Sequence, residues 1–335
     1  MHGQFIWYEL MTPDPQGAIK FYPQFTGWGT QPFDENYTMW TTDGEPFAGL
    51  MKLTDEMRAG GAPPSWTAYV EVTNVDDTAA LATSLGAKTI VPPTDIPNVG
   101  RFAIIQDPQG AVLAVFKSSA GMTGWDGTNV IGRFSWHELM CLDHTKAFEF
   151  YRRLFGWEKL DESDMGGGLM YLIFGKGKKM YGGMFTRTAD MANMPPFWLL
   201  YVSVKNVPAA LATATKAGGS VHRPPMDIPG GVIAIMGDPQ GAGFALHHQN
   251  PEPAAAPKPA AKKVAAKKAP AKKAAAKKAP AKKKAAAKKK TVAAKRPAKK
   301  KTAKKAPKKA APKKASKKSE KKKKKGKKKK GKNKK

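Results

Sequence analysis

Phe5-Ile6-Trp7-Tyr8-Glu9-Leu10-Met11 returns later in the chain as Phe134-Ser135-Trp136-His137-Glu138-Leu139-Met140. Working outward from these heptads, each landmark of the first copy has a counterpart in the second. Phe21-Tyr22 and Gly27-Trp28 pair with Phe150-Tyr151 and Gly156-Trp157. Pro92-Pro93-Thr94-Asp95-Ile96-Pro97 pairs with Pro224-Pro225-Met226-Asp227-Ile228-Pro229, and Asp107-Pro108-Gln109-Gly110 with Asp238-Pro239-Gln240-Gly241. A repeat of this length is too long for a solenoid unit and suits two tandem copies of one ordinary domain. The expected division is residues 1–120 and 132–249 for the domains, 121–131 for a linker and 250–335 for a tail.

The tail differs in kind. Residues 251–335 hold 40 of the 58 basic residues but only two acids, Glu252 and Glu320, and no aromatic side chain. The remaining 250 residues carry 18 basic and 24 acidic groups, so a mildly acidic body bears a strongly cationic extension. Such a Lys/Ala/Pro segment cannot bury enough apolar area to offset its ordering entropy, which predicts disorder. The single cysteine, Cys141, rules out an intramolecular disulfide and fits a reducing compartment. No signal-peptide pattern opens the chain and no apolar run is long enough to span a bilayer, so a cytoplasmic location, with nucleoid association through the tail, is expected.

Within each copy the periodicity switches. The opening heptads read as strands. Asp14 before Pro15, and Asp143 in the second copy, read as N-caps of helices whose apolar positions are Ala18, Phe21, Tyr22 and Phe25, or Ala147, Phe150, Tyr151 and Leu154. Gly27 and Gly156 end these helices. Strands follow around 38–42 and 47–53, and around 170–175 and 181–186. After Pro63-Pro64 and Pro195-Pro196 a second module starts, with strands at 66–72 and 198–204, helices at 77–85 and 208–217, and hairpins at 102–117 and 232–248. Asp107-Pro108-Gln109-Gly110 suits a type I turn.

Four such modules, with helices ending Phe-Tyr…Gly-Trp and a late Asp-Pro-x-Gly turn, resemble the vicinal oxygen chelate superfamily of glyoxalase I, bleomycin-resistance proteins and extradiol dioxygenases. The resemblance covers residues 4–118 and 132–248. It implies an α+β fold of two tandem domains, each folding two βαβββ modules into a cupped mixed sheet around a ligand cleft, with helices outside. It also implies where a divalent metal would be held. Those places carry Trp7, Thr67 and Ala114 in the first copy and Trp136, Leu199 and Ala245 in the second. Tryptophan, leucine and alanine offer no ordinary ligand atom, so no metal or other cofactor is expected, a divalent ion being the alternative.

Strand alternation nominates the cleft walls. Trp7, Glu9 and Met11 share one face of the first strand, mirrored by Trp136, Glu138 and Met140. Tyr69 with Glu71, and Tyr201 with Ser203, join them, and His247 points into the second cleft. Glu9 and Glu138 are the candidate general bases, with Arg101 and Arg223 as possible ion-pair partners. Trp7, Met11, Tyr69, Glu71, Trp136, Met140, Tyr201 and His247 are the candidate ligand contacts. His137, like Tyr8 in the first copy, points to the helix side and reads as a packed, hydrogen-bonded residue.

The tail, which resembles those of linker histones, reads as a non-specific binder of nucleic acid backbone. Dense lysine (Lys262, Lys263, Lys267, Lys268, Lys272, Lys273, Lys299, Lys300 and Lys301 among others) neutralises phosphates and releases counterions. Arginine is nearly absent and aromatics are missing, which argues against base reading and base stacking. Three functions follow as expectations: a metal-free ligand-binding protein tethered to DNA or RNA; a glyoxalase- or dioxygenase-like enzyme on a small oxygenated substrate; or a nucleoid-associated structural protein. The paired domains are expected to associate within one chain or across a homodimer.

Overall fold

The computed structural model describes residues 2–121 and 128–250. The nominated tail lysines and residues 122–127 of the expected linker lie outside the described residues. Each copy builds one eight-stranded mixed sheet. In the first, the spatial order is β2 (Gly29–Pro32), β3 (Tyr37–Thr42), β4 (Glu45–Lys52), β1 (Phe5–Thr12), β5 (Ser65–Glu71), β8 (Val112–Ser118), β7 (Gly100–Gln106) and β6 (Lys88–Ile96). In the second it is β10 (Glu158–Asp164), β11 (Met170–Lys176), β12 (Lys179–Thr186), β9 (Phe134–Cys141), β13 (Phe197–Ser203), β16 (Gly243–Gln249), β15 (Gly231–Gly237) and β14 (Ser220–Ile228). The first and last strands of each module are parallel neighbours, and the two modules of a copy join through antiparallel pairing of β1 with β5 and of β9 with β13. The chain therefore has the expected α+β fold of two tandem domains, each built of two βαβββ modules.

The helices follow their caps. Asp14 accepts from the Gly17 amide at 2.9 Å and Asp143 from that of Lys146 at 3.0 Å. Gly27 and Gly156 close the helices in the left-handed region, at φ 77° and 69°. One difference follows from a single residue. Pro23 breaks the first helix into α1 (Pro15–Phe21) and α2 (Pro23–Thr26); Arg152 occupies the matching place, so the second-copy helix runs unbroken from His144 to Phe155. α3 (Asp55–Ala59) is a short connector. α4 (Val75–Ser84), α5 (His144–Phe155) and α6 (Val207–Lys216) complete the set.

The βαβββ pattern counts the edge strands β2, β6, β10 and β14, but the sequence reading did not locate them. β6 and β14 contain Pro92-Pro93 and Pro224-Pro225, which resemble loop signals. Proline is tolerated there because both strands lie at sheet edges, and the register shifts fall at Val91/Thr94 and Arg223/Met226, across the proline pairs.

One apolar core joins the helix-side faces of both sheets, from Phe5, Tyr8 and Leu10 to Phe134, Leu139 and Phe244. α2 packs on α6, and α4 on α5. The polar ties across this interface come in reciprocal pairs. Tyr22 Oη donates to Asp238 at 3.0 Å, and Tyr151 Oη to Asp107 at 2.9 Å. Trp28 Nε1 donates to the Gly132 carbonyl at 2.6 Å, and Trp157 Nε1 to that of Gly3 at 2.7 Å. Such reciprocity defines a pseudo-two-fold axis. Tyr8 and His137, equivalent in the repeat, touch each other on it: Tyr8 Oη lies 2.7 Å from His137 Nε2. The Tyr181 carbonyl, 2.6 Å from His137 Nδ1, can only accept, so Nδ1 carries the proton and Nε2 accepts from Tyr8. Burial pushes this imidazole down to about 3, which keeps it neutral.

The Asp-Pro-Gln-Gly turns thus do two jobs. Asp107 Oδ1 accepts from the amides of Gln109, Gly110 and Ala111 and holds the β7–β8 turn, while Oδ2 reaches into the other domain. The symmetry is incomplete at the next residue. Gln109 Oε1 accepts from the amides of Leu142 and Asp143. Pro13 replaces Leu142 in the first copy and has no amide hydrogen, and Gln240 Oε1 is buried without a partner.

Candidate functional site

On the opposite, concave face of the first sheet, alternation turns Trp7 and Glu9 away from the core. Glu9 is 8% exposed. Tyr69, on the neighbouring strand, donates to its Oε1 at 2.9 Å, and Tyr37, on β3, donates to its Oε2 at 3.0 Å. Trp7 Nε1 in turn donates to Tyr37 Oη at 3.0 Å. The second sheet repeats the cluster. Tyr201 and Tyr171 donate to Glu138 at 2.9 and 2.8 Å, and Trp136 Nε1 donates to Tyr171 Oη at 2.9 Å.

Tyr37 and Tyr171 reach the carboxylates only because the strand between is bare. Gly49 stands opposite Glu9 in the register, and Gly183 opposite Glu138. A Cβ on Gly49 would overlap the Tyr37 hydroxyl, and one on Gly183 the Tyr171 ring and hydroxyl. The sequence reading missed these four residues. Their signal was present: Tyr37 and Gly49 recur as Tyr171 and Gly183 at one common offset.

Burial raises the Glu9 and Glu138 carboxyls above their ordinary range, and the tyrosine hydrogen bonds oppose the shift in both. The charge of Arg223 adds to that opposition at Glu138. The tyrosine hydroxyls are themselves pushed up, first by burial and then by the carboxylates they face. A carboxyl whose folded pKa lies above its unfolded one stabilises the fold most below the unfolded value of about 4.5, and that stability is lost as pH rises through the folded value. Glu9→Gln is therefore expected to flatten the fall in melting temperature above that pH. An unchanged slope in a pH series of thermal melts would show that Glu9 does not titrate there.

In the first domain the cluster floors a cavity of about 390 Å³, lined also by Phe33, Asp34, Met39, Ile96, Val99 and Phe116. Three expectations shift. Met11 and Glu71 do not line this cavity. Met11 lies further along β1, opposite Ser65, and Glu71 receives Lys117 Nζ at 3.0 Å. Arg101 is no partner of Glu9: it binds Asp76 of α4 at 2.8 Å and Asp95 at 2.9 Å, which turns it to the helix side. In the second domain Met140 is buried, and His247 meets the Tyr201 ring edge-on at 6.4 Å.

The places at which related folds would hold a divalent ion do not fit one here. The register puts Tyr69, not the expected Thr67, between Trp7 and Ala114, and Tyr201, not Leu199, between Trp136 and Ala245; Thr67 and Leu199 stand opposite Glu9 and Glu138 instead. Each cleft offers one clustered carboxylate, already taken by two tyrosines, and no group of three or more His, Cys, Asp or Glu able to hold a metal occurs among the described residues. No helix among them is long and apolar enough to cross a membrane.

Comparison with known proteins places this architecture. Residues 133–246 match the Glyoxalase/Bleomycin resistance protein/Dioxygenase superfamily. The chain is 28% identical over 261 residues to the anthracycline biosynthesis protein DauV of Streptomyces sp. (strain C5), covering 73% of this chain and 92% of that protein. Among solved structures it resembles the 2,3-dioxygenase LapB of Pseudomonas sp. KL28, with a TM-score of 0.53 and 12% identity over 76% of this chain and 95% of that one. It also resembles a Mn(II)-bound glyoxalase of Novosphingobium aromaticivorans, with a TM-score of 0.50 and 14% identity over 74% and 82%. The chain thus shares the fold of these two-domain proteins, and its second domain, residues 133–246, matches the superfamily in sequence as well.

Proposed function

We propose that this protein binds a small planar aromatic molecule without a metal, and that its lysine-rich tail holds it on nucleic acid backbone. The observation that carries the ligand reading is the duplicated Trp-Glu-Tyr-Tyr cluster, which in the first domain floors an apolar cavity. Aromatic walls with a few fixed polar groups are the usual form of a small-molecule site. A volume of about 390 Å³ falls in the range of such sites and suits two to three fused rings. The likeness to an anthracycline biosynthesis protein supports a polycyclic aromatic ligand. The carboxylate, with its remaining lone pairs, would orient a ligand N–H or O–H donor.

The test is tryptophan-fluorescence titration with 1-aminoanthraquinone and with unsubstituted anthraquinone. The amine is expected to bind about tenfold tighter, and Glu9→Gln to reduce that preference. Equal binding of both compounds, unaffected by Glu9→Gln, would remove the carboxylate from the recognition reading. For the tail, a gel shift on duplex DNA is expected to be steeply salt-dependent for the full chain and absent for residues 1–250. Equal shifts by both would locate nucleic acid binding in the domains.

A further inference from the structure

The two clefts share their floor but differ on the second-module side, at one lining position and at one place on the edge strand beside it. Phe116 of the first domain is replaced by His247 at the matching place in the repeat, and Val91, immediately before the proline pair, by Arg223. The structure makes each pair equivalent. Phe116 meets the Tyr69 ring edge-on at 6.3 Å, as His247 meets Tyr201 at 6.4 Å. Val91 pairs with Ile104, and Arg223 with Ile235, and both isoleucines pack on the cleft-side cluster of their own domain.

Ser135 Oγ lies 2.8 Å from His247 Nδ1 and 3.3 Å from the Tyr201 carbonyl, so one ring nitrogen is held by the serine in either tautomer. Nε2 is left with no hydrogen-bond partner among the described residues. Burial pushes this imidazole down to about 4, with the charge of His248 adding to the effect, so it is neutral at physiological pH. Arg223 is exposed on the edge strand, and its charge is felt by Glu138, Tyr201 and Asp190. Against the first cleft, the second gains one positive charge and one open hydrogen-bonding nitrogen.

We propose that the second cleft selects an aromatic carboxylate bearing a hydroxyl group, with Arg223 pairing the carboxylate and His247 Nε2 hydrogen-bonded to the hydroxyl, which can serve either tautomer. The first cleft, with Val91 and Phe116 at these places, takes uncharged or cationic aromatics. This inference rests on the ligand-binding reading above and adds a division of labour to it. A hydroxyaromatic acid satisfies both groups at once, whereas a plain aromatic would leave the imidazole Nε2 unpaired.

The experiment is calorimetric titration of the full chain with 3-hydroxy-2-naphthoate, 2-naphthoate and 2-naphthol. The hydroxy acid is expected to bind about tenfold tighter than either single-function compound. Arg223→Val is expected to erase its advantage over 2-naphthol, and His247→Phe its advantage over 2-naphthoate. Arg223 is exposed, so its variant is expected to fold even if His247→Phe does not. Persistence of the preference in Arg223→Val overturns the inference. Equal binding of all three compounds overturns it while leaving the ligand-binding reading intact. No binding of any of them overturns both.

Discussion

Replacing Asp238 by alanine is expected to lower the melting temperature by about 8–12 °C, from a loss of about 3–4 kcal/mol. The side chain is 3% exposed, and its two oxygens serve different domains. Oδ1 accepts from the amides of Gln240 and Ala242 in its own turn, and Oδ2 from Tyr22 of the first domain. Tyr22 Oη is in turn the acceptor for Trp66 Nε1 at 2.9 Å. Truncation strands two amides and a hydroxyl in a buried interface, each of which then loses a partner that water cannot replace. Tyr22→Phe removes the cross-domain tie and the acceptor of Trp66 Nε1 but keeps the turn, and is expected to cost about half as much. Asp107→Ala is expected to match Asp238→Ala, because Tyr151 and Trp198 repeat the arrangement. Differential scanning calorimetry of the three variants checks the ranking. If Asp238→Ala melts within a degree or two of the parent, these aspartates do not tie the domains together.

Adding one carbon at Gly49 is expected to weaken ligand binding in the first cleft about 10- to 100-fold while leaving the fold in place. The new Cβ would occupy the position of the Tyr37 hydroxyl, and that ring must swing off Glu9. Glu9 then loses one of its two tyrosine donors, and Trp7 loses its acceptor. The same loss follows from Tyr37→Phe, which keeps the ring and deletes the hydroxyl. If Gly49 acts only through Tyr37, the double variant binds no worse than either single one. Additive losses in the fluorescence titration would mean that Gly49→Ala disturbs the cleft by another route.

How much of this was legible in the chain depends on whether a residue acts within one element or across several. The Asp14 and Asp143 caps, the glycine stops, the hairpin at Asp107–Gly110 and the facing of Trp7, Glu9 and His137 all follow from local rules, and the structure keeps them. The edge strands β6 and β14 were hidden because proline signals a break wherever the sheet has another strand to pair, and only the topology reveals that they need no outer partner. Tyr37 and Gly49 were overlooked because neither carries chemistry alone. Their meaning lies in a register that sets Gly49 beside Glu9 and diagonal to Tyr37, whose hydroxyl reaches over it. Arg101 was misjudged because its chemistry suited Glu9 while its position on β7 turned it towards α4.

The meeting of Tyr8 with His137 has a consequence for how such a molecule can diversify. In a dimer of identical halves, a residue on the symmetry axis faces its own copy and must be self-complementary. Two tyrosines or two histidines there would leave a donor or an acceptor poorly matched in a site closed to water. Joining unlike halves in one polypeptide removes that requirement, so one side can specialise in giving a proton and the other in taking it. The same freedom lets Val91 and Phe116 stand opposite Arg223 and His247 in the repeat, so covalent linkage turns a symmetric pair of pockets into two addresses that can be tuned separately.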